Sequence, residues 1–89
     1  MRQEDSFFGE RELVLIYIAK RLREALKVEQ ELTSAGLDYL VETDTYVGGF
    51  LFRSERAGAF FYVDEATTEP ARRLLIKNGR KPYSAEPAN

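Results

Sequence analysis

The chain of 89 residues contains no cysteine and no histidine. Without cysteine it can form neither a disulfide framework nor a thiolate site for metal or redox chemistry. Without histidine it lacks the commonest general base and a frequent metal ligand. The sequence also has no phosphate-loop glycine pattern and no recognisable metal-ligand spacing. We therefore expect a protein that is not an enzyme and that needs no cofactor or metal.

Long apolar runs and a strong net charge are absent as well. The longest apolar run is far too short to cross a membrane, and the residues before it are acidic rather than basic as in a signal peptide. A formal net charge of -2 disfavours both a nucleic-acid backbone and a membrane surface as partners. These absences predict a cytoplasmic globular protein.

Two short runs, residues 13–19 and 59–63, are apolar without alternation. The first is rich in β-branched and aromatic side chains, which favour a strand. An unbroken apolar strand implies a sheet covered on both faces. The alternative is one helix over residues 10–35, which would be unusually long and would leave Val14, Ile16 and Tyr17 on its wet side.

Helical spacing of apolar residues begins after Lys20 and stops at Gly36, which predicts the first helix. Residues 37–45 then alternate as a strand with one dry face, and 59–63 form the third strand. Between these strands we expect a turn at Gly48 and Gly49, a short strand over 50–52 and a polar turn over 54–58. A second helix is predicted to be capped by Thr67 or Thr68, to have Pro70 in its first turn and to end at Gly79.

This order, β-α-β-β-α, predicts an α+β fold. A right-handed crossover places the first two strands parallel, with the third antiparallel between them and both helices on one face. The expected architecture is a ferredoxin-like two-layer sandwich with sheet order 1-3-2 and no fourth strand. We expect a flexible arm over residues 1–11, a single domain over 12–79 and a flexible tail over 80–89.

Several short motifs resemble the small prokaryotic family of signal-transducing proteins with a PII-like fold. That family's pattern is a strand, a Glu-Ala pair, a leucine-rich helix, Ala-Gly-Ile, a glycine pair and a closing Val, Ala-Arg, Leu-Leu helix. The similar positions here are Glu24-Ala25, Leu32, Ala35-Gly36-Leu37, Gly48-Gly49, Val63, Ala71-Arg72 and Leu74-Leu75. The resemblance implies a ferredoxin-like regulatory or binding module without established catalytic residues. The chain departs from the family in lacking the cysteine zinc ribbon of some members and in having Pro70.

Aromatic side chains are predicted on the sheet face away from the helices. If Ile16 and Phe61 point inward, alternation sends Leu15, Tyr17, Phe60 and Tyr62 outward. Each buried aromatic ring can cover ~150–250 Å², so this patch would reach the ~300–600 Å² found on soluble monomers. We expect a second copy of the chain to cover it, as a homodimer through the sheet face or the edge of strand one; a protein partner or a small ligand is the alternative.

Other constellations favour competing functions more weakly. The aromatics on an open sheet partly match RNA-recognition domains, and the cations that could contact phosphates are Arg53, Arg56, Lys77, Arg80 and Lys81. Gly48, Gly49 and Arg53 could form an anion-binding loop. Paired carboxylates at Glu42 with Asp44, or Asp64 with Glu65, could serve acid-base or cation chemistry, with a pocket between Asp44, Asp64 and the glycine pair.

Overall fold

The structure, a computed structural model, describes residues 1–45 and 57–83. Its elements are α1 (Asp5–Phe8), β1 (Leu13–Ala19), α2 (Leu22–Ser34), β2 (Leu40–Thr45), β3 (Ala57–Asp64) and α3 (Glu65–Lys77). The strands form an antiparallel sheet of order β1-β3-β2. The chain is therefore an α+β protein with the predicted strand order. The expectations for Gly48, Gly49, Arg53, Arg56 and residues 50–52 lie outside the described residues.

Strand β1 has the bounds predicted for the first strand, and the alternative of one helix over 10–35 is wrong. The concentration of β-branched side chains in this run explains the outcome, since such side chains suit a pleated sheet better than a helix. Helix α2 follows after only two residues. Gly36, with a φ of 77°, lies just beyond its end, as predicted for a left-handed cap residue.

One hydrophobic core lies between the sheet and the two long helices. Helix α2 contributes Ala25, Val28 and Leu32 to it, and α3 contributes Ala71 and Leu75. The same cluster contains Tyr39, which directly precedes β2, and the strand residues Ile16, Ala19, Val41, Ala59, Phe61 and Val63. Because Ala59, Phe61 and Val63 alternate along β3 and share one face, both helices pack on that face.

Helix α3 begins earlier than the sequence predicted. Its N-cap is Asp64, whose Oδ1 accepts a hydrogen bond from the backbone N–H of Thr67 at 3.0 Å, so Thr67 and Thr68 lie inside the helix. Asp64 is also a preferred N-cap residue, and β3 delivers it directly to the helix start. Pro70 consequently lies in the second turn rather than the first. The predicted end at Gly79, with a φ of 83°, is confirmed.

The segment before β1 contacts the sheet at two places. Arg2 forms a parallel bridge with Tyr39, next to β2, and the backbone N–H of Gln3 donates to the Tyr39 carbonyl at 2.8 Å. Farther along, Arg11 Nη1 donates to Asp64 Oδ2 at 2.8 Å, at the end of β3. Between these anchors Phe8 is buried, although it does not belong to the core cluster beneath the helices. Residues 1–11 therefore have specific contacts with the domain predicted to begin at residue 12.

A buried tyrosine just before β2 forms hydrogen bonds with α2. Tyr39 is 1% exposed, and its hydroxyl lies 3.0 Å from Thr33 Oγ1. The same hydroxyl lies 3.2 Å from the Glu29 carbonyl oxygen and 3.1 Å from Glu29 Oε1. Glu29 in turn forms an ion pair with Arg2 at 3.5 Å.

Among the described residues, no helix is long and apolar enough to cross a membrane.

Candidate functional site

The sheet face away from α2 and α3 carries large apolar side chains in register. In an antiparallel pair, directly opposed residues lie on the same face. Leu15 opposes Tyr62, and Ile18 opposes Phe60. On the other side of β3, Leu40 opposes the same Tyr62. Leu15, Phe60 and Tyr62 therefore lie on the face where the sequence placed them.

Tyr17 lies on the opposite face, so its predicted position is wrong. The register between β1 and β3 shifts between Leu15 and Tyr17, which leaves Ile16 as an extra residue in the strand. After this bulge Tyr17 opposes Phe61, and the two ring centroids lie 6.5 Å apart beneath the helices. A bulge reverses the alternation of every residue that follows it. The same shift moves Ile18 onto the outer face, whereas regular alternation from Ile16 would point it inward.

This outer face, defined by Leu15, Ile18, Phe60 and Tyr62 and called here the outer sheet face, is partly covered. All four side chains are of intermediate exposure. Leu40, their neighbour on β2, is only 8% exposed to solvent. The part of this face beside Leu40 is therefore covered, whereas Glu42 of β2, which opposes Phe60 on the same face, is exposed.

The outer edge of β1 is engaged at one point by the C-terminal segment. The backbone N–H of Tyr83 donates to the Ile16 carbonyl at 2.7 Å. This bond pairs the bulged residue, whose backbone groups are not satisfied in a regular ladder. An edge-to-edge partner would have to pair with β1 around or in place of this contact.

A polar network links the inner side of β1 to the helices. The Tyr17 hydroxyl donates to Glu24 Oε2. Arg80 binds Glu31 through two hydrogen bonds, Nε to Oε1 at 3.1 Å and Nη2 to Oε2 at 2.7 Å. Arg80 Nη1 also lies 3.9 Å from Glu24 Oε2. The hydrogen bonds from Arg80 lower the pKa of Glu31. Burial, the largest cause, and the hydrogen bond and negative charge of Glu24 raise the pKa of Tyr17.

The carboxylates singled out by the sequence have structural surroundings. Glu42 is exposed on β2. Asp64 caps α3 and pairs with Arg11; hydrogen bonds from Thr67, the largest cause, lower its pKa. Glu65 is exposed in the first turn of α3, where a negative charge is favourable. Within residues 1–45 and 57–83, no group of three or more Asp or Glu residues could hold a metal ion.

Of the cations predicted to contact RNA phosphates, those that the structure describes lie at the end of α3 and in the segment after it. Lys77 and Lys81 are exposed, and Arg80 is held by Glu31 beside the helices. A different set of cations does converge: Arg21, Arg23 and Lys27 line a groove together with Arg80 and Glu24. The sequence contained a signal for it, because Arg23 and Lys27 are spaced by one helical turn and Arg21 precedes them.

Comparison of the chain with protein-family models, with curated proteins and with solved structures finds no match.

Proposed function

We propose that this chain is a small, non-catalytic regulatory or interaction module of ferredoxin-like type that associates with a second copy of itself through the outer sheet face. The observation that supports this most is the register of Leu15, Ile18, Phe60 and Tyr62, which brings four large apolar side chains together on two adjacent strands. Both long helices pack on the opposite face. Burial of such side chains contributes about 25 cal/mol per Å² of apolar surface.

The face is a better candidate than the edge of β1. The edge is already bonded at Ile16 by Tyr83, and a second strand would compete with that bond. Contact through the face would leave the hydrogen bond at Ile16 in place, and a two-fold axis would bring the same side chains of both copies together. The resemblance to PII-like signal-transducing proteins supports a regulatory role for such a dimer.

The RNA-binding alternative loses one of its supports. It relied on Tyr17 as a stacking platform on the open sheet, and Tyr17 lies beneath the helices instead. It still predicts binding that weakens steeply with salt and that depends on Phe60. A filter-binding assay at two salt concentrations measures this directly.

The test of self-association is the molar mass of the full chain by light scattering over a range of concentrations. Phe60→Lys places a charge in the middle of the outer sheet face, and we expect it to shift a dimer to a monomer. Ile76→Lys is the matched control, because Ile76 is an apolar side chain of α3 that is 61% exposed. Circular dichroism checks that both variants keep the fold.

A second surface competes for the same role and is included in the test. Leu22 and Leu26, one turn apart on α2, are 75% and 56% exposed. If Leu26→Lys dissociates the dimer and Phe60→Lys does not, α2 is the interface and the proposal is wrong. A chain that stays monomeric at all concentrations also contradicts it.

A further inference from the structure

A groove at the start of α2 concentrates positive charge on an acidic protein. Arg21, Arg23 and Lys27 line it from the α2 side, and Arg80 lines it from the segment after α3. Together with Glu24 they surround a volume of about 610 Å³, open to solvent. The whole chain carries a net charge of -2. Four cations therefore lie around the groove against one carboxylate, and an excess of one sign of charge in a cleft attracts an ion of the opposite sign into it.

The carboxylates next to the groove are already engaged. Both oxygens of Glu31 accept hydrogen bonds from Arg80. Glu24 accepts the Tyr17 hydroxyl and lies 3.9 Å from Arg80 Nη1. Among the described residues, Arg21 and Arg23 form no ion pair. Their guanidinium groups are exposed and remain available to an anion from solution.

This arrangement costs helix stability. Arg23 and Lys27 are like charges one turn apart on α2, which is unfavourable for a helix. Arg21 is the N-cap of α2 and gives no side-chain hydrogen bond to the helix, at the end where a positive charge is disfavoured. An anion bound between these side chains would remove the repulsion. Local features that oppose helix stability are typical of functional sites.

We propose that this groove binds a phosphoryl group, either as inorganic phosphate or as the ester of a small molecule. Arginine forks match the geometry of phosphate oxygens, so Arg21 and Arg23 would donate the hydrogen bonds. Lys27 would add charge, and Arg80, fixed by Glu31, would close the side toward β1. The volume falls within the ~300–1,000 Å³ of small-molecule sites. The site lies on the helix side of the sheet and does not depend on the proposed dimer.

The test is calorimetric titration of the full chain with inorganic phosphate and with glycerol phosphate at constant ionic strength. We expect saturable binding of one anion per chain, weakened about tenfold or more in Arg23→Gln, since a charged hydrogen bond contributes about 1.5–3 kcal/mol and 1.4 kcal/mol is tenfold. Arg73→Gln is the control, because Arg73 lies on α3, is exposed and only loosely paired with Glu69 at 3.9 Å. Tighter binding of glycerol phosphate indicates an esterified ligand, and tighter binding of phosphate indicates the free ion.

Three results would overturn the proposal. One is titration without saturation by either anion. Another is equal weakening in Arg23→Gln and Arg73→Gln, which would indicate a general charge effect. The third is displacement of glycerol phosphate by an RNA oligonucleotide whose affinity falls steeply with salt, which would assign the groove to a nucleic-acid backbone. Both variants replace exposed side chains, and circular dichroism checks their fold.

Discussion

Removing the hydroxyl of Tyr39 tests whether its hydrogen bonds to α2, made just before β2 begins, stabilise the fold. The ring is 1% exposed, and its hydroxyl lies within 3.2 Å of Thr33 Oγ1 and of two oxygens of Glu29. Tyr39→Phe keeps the ring and its packing but removes these hydrogen bonds. Thr33 is exposed and Glu29 keeps its contact with Arg2, so water and Arg2 can satisfy the groups left behind. We therefore expect a loss of about 1–2 kcal/mol rather than the larger cost of a buried unsatisfied group.

The assay is urea denaturation followed by circular dichroism, with thermal melting as a second measurement. For a domain of this size each kcal/mol corresponds to roughly 4–8 °C in melting temperature. Tyr83→Phe is the control, because the Tyr83 side chain is 37% exposed and its hydroxyl has no hydrogen bond within the described residues. We expect it to change stability by less than about 0.5 kcal/mol. Equal stability of the two variants would refute the role given to the Tyr39 hydroxyl.

The same side chain gives a prediction at alkaline pH. Burial, the largest cause, and the charge of Glu29 raise the pKa of Tyr39 above its ordinary value of 10.0. The unfolded chain therefore releases the tyrosine proton at a lower pH than the folded chain does. Stability from this group is fully present below pH 10 and is lost as the pH rises toward the pKa in the folded state. The free energy of unfolding should fall more steeply above pH 10 in the wild type than in Tyr39→Phe, and parallel curves would contradict this.

Three further predictions concern the core, an ion pair and a helix end. Leu32 is completely buried between α2 and the sheet, so Leu32→Ala should lower the free energy of unfolding by about 2–5 kcal/mol in urea titrations. Hydrogen bonds from Arg80 hold the pKa of Glu31 below its ordinary 4.5. The ionised Glu31 therefore contributes stability that is present above pH 4.5 and is lost as the pH falls through the pKa in the folded state, so Glu31→Gln should flatten the pH dependence of the free energy of unfolding below pH 4.5. At Gly79 the φ is 83° and a Cβ would meet no atom within 4 Å, so Gly79→Ala should cost about 1 kcal/mol through backbone strain alone. An unchanged melting temperature in Gly79→Ala would contradict this reading of the helix end.

Much of the fold could be predicted because its signals are local. The β-branched run over 13–19 defined β1, and the helical spacing before Gly36 defined α2. Strand order followed from the order of the elements and the rules of connection. The alternation predicted for this segment is met by buried Tyr39 and Val41 and by exposed Glu42, because alternation in a regular strand is fixed by the backbone. It fails at Leu40, which is buried although it shares the face of Glu42, and at Thr43, which is exposed although it shares the face of Val41.

The misses occurred where an irregularity or a distant contact decided the outcome. No residue type announces the bulge at Ile16, yet it exchanges the faces of Tyr17 and Ile18 and so changes the candidate interface. The capping of α3 by Asp64 depended on where β3 ended. The contacts of Arg2 and Arg11 join segments far apart in the sequence, which composition alone cannot reveal.

The sequence by itself determined the strand and helix types, the absence of cysteine and histidine chemistry and the surplus of apolar side chains on the sheet. These follow from side-chain shape, polarity and spacing along a single stretch of chain. Only the tertiary structure decided which aromatic rings share the outer sheet face and which cations converge at the start of α2. Those outcomes depend on register and on contacts between distant segments, and a shift of one residue in a strand reverses every side chain that follows it.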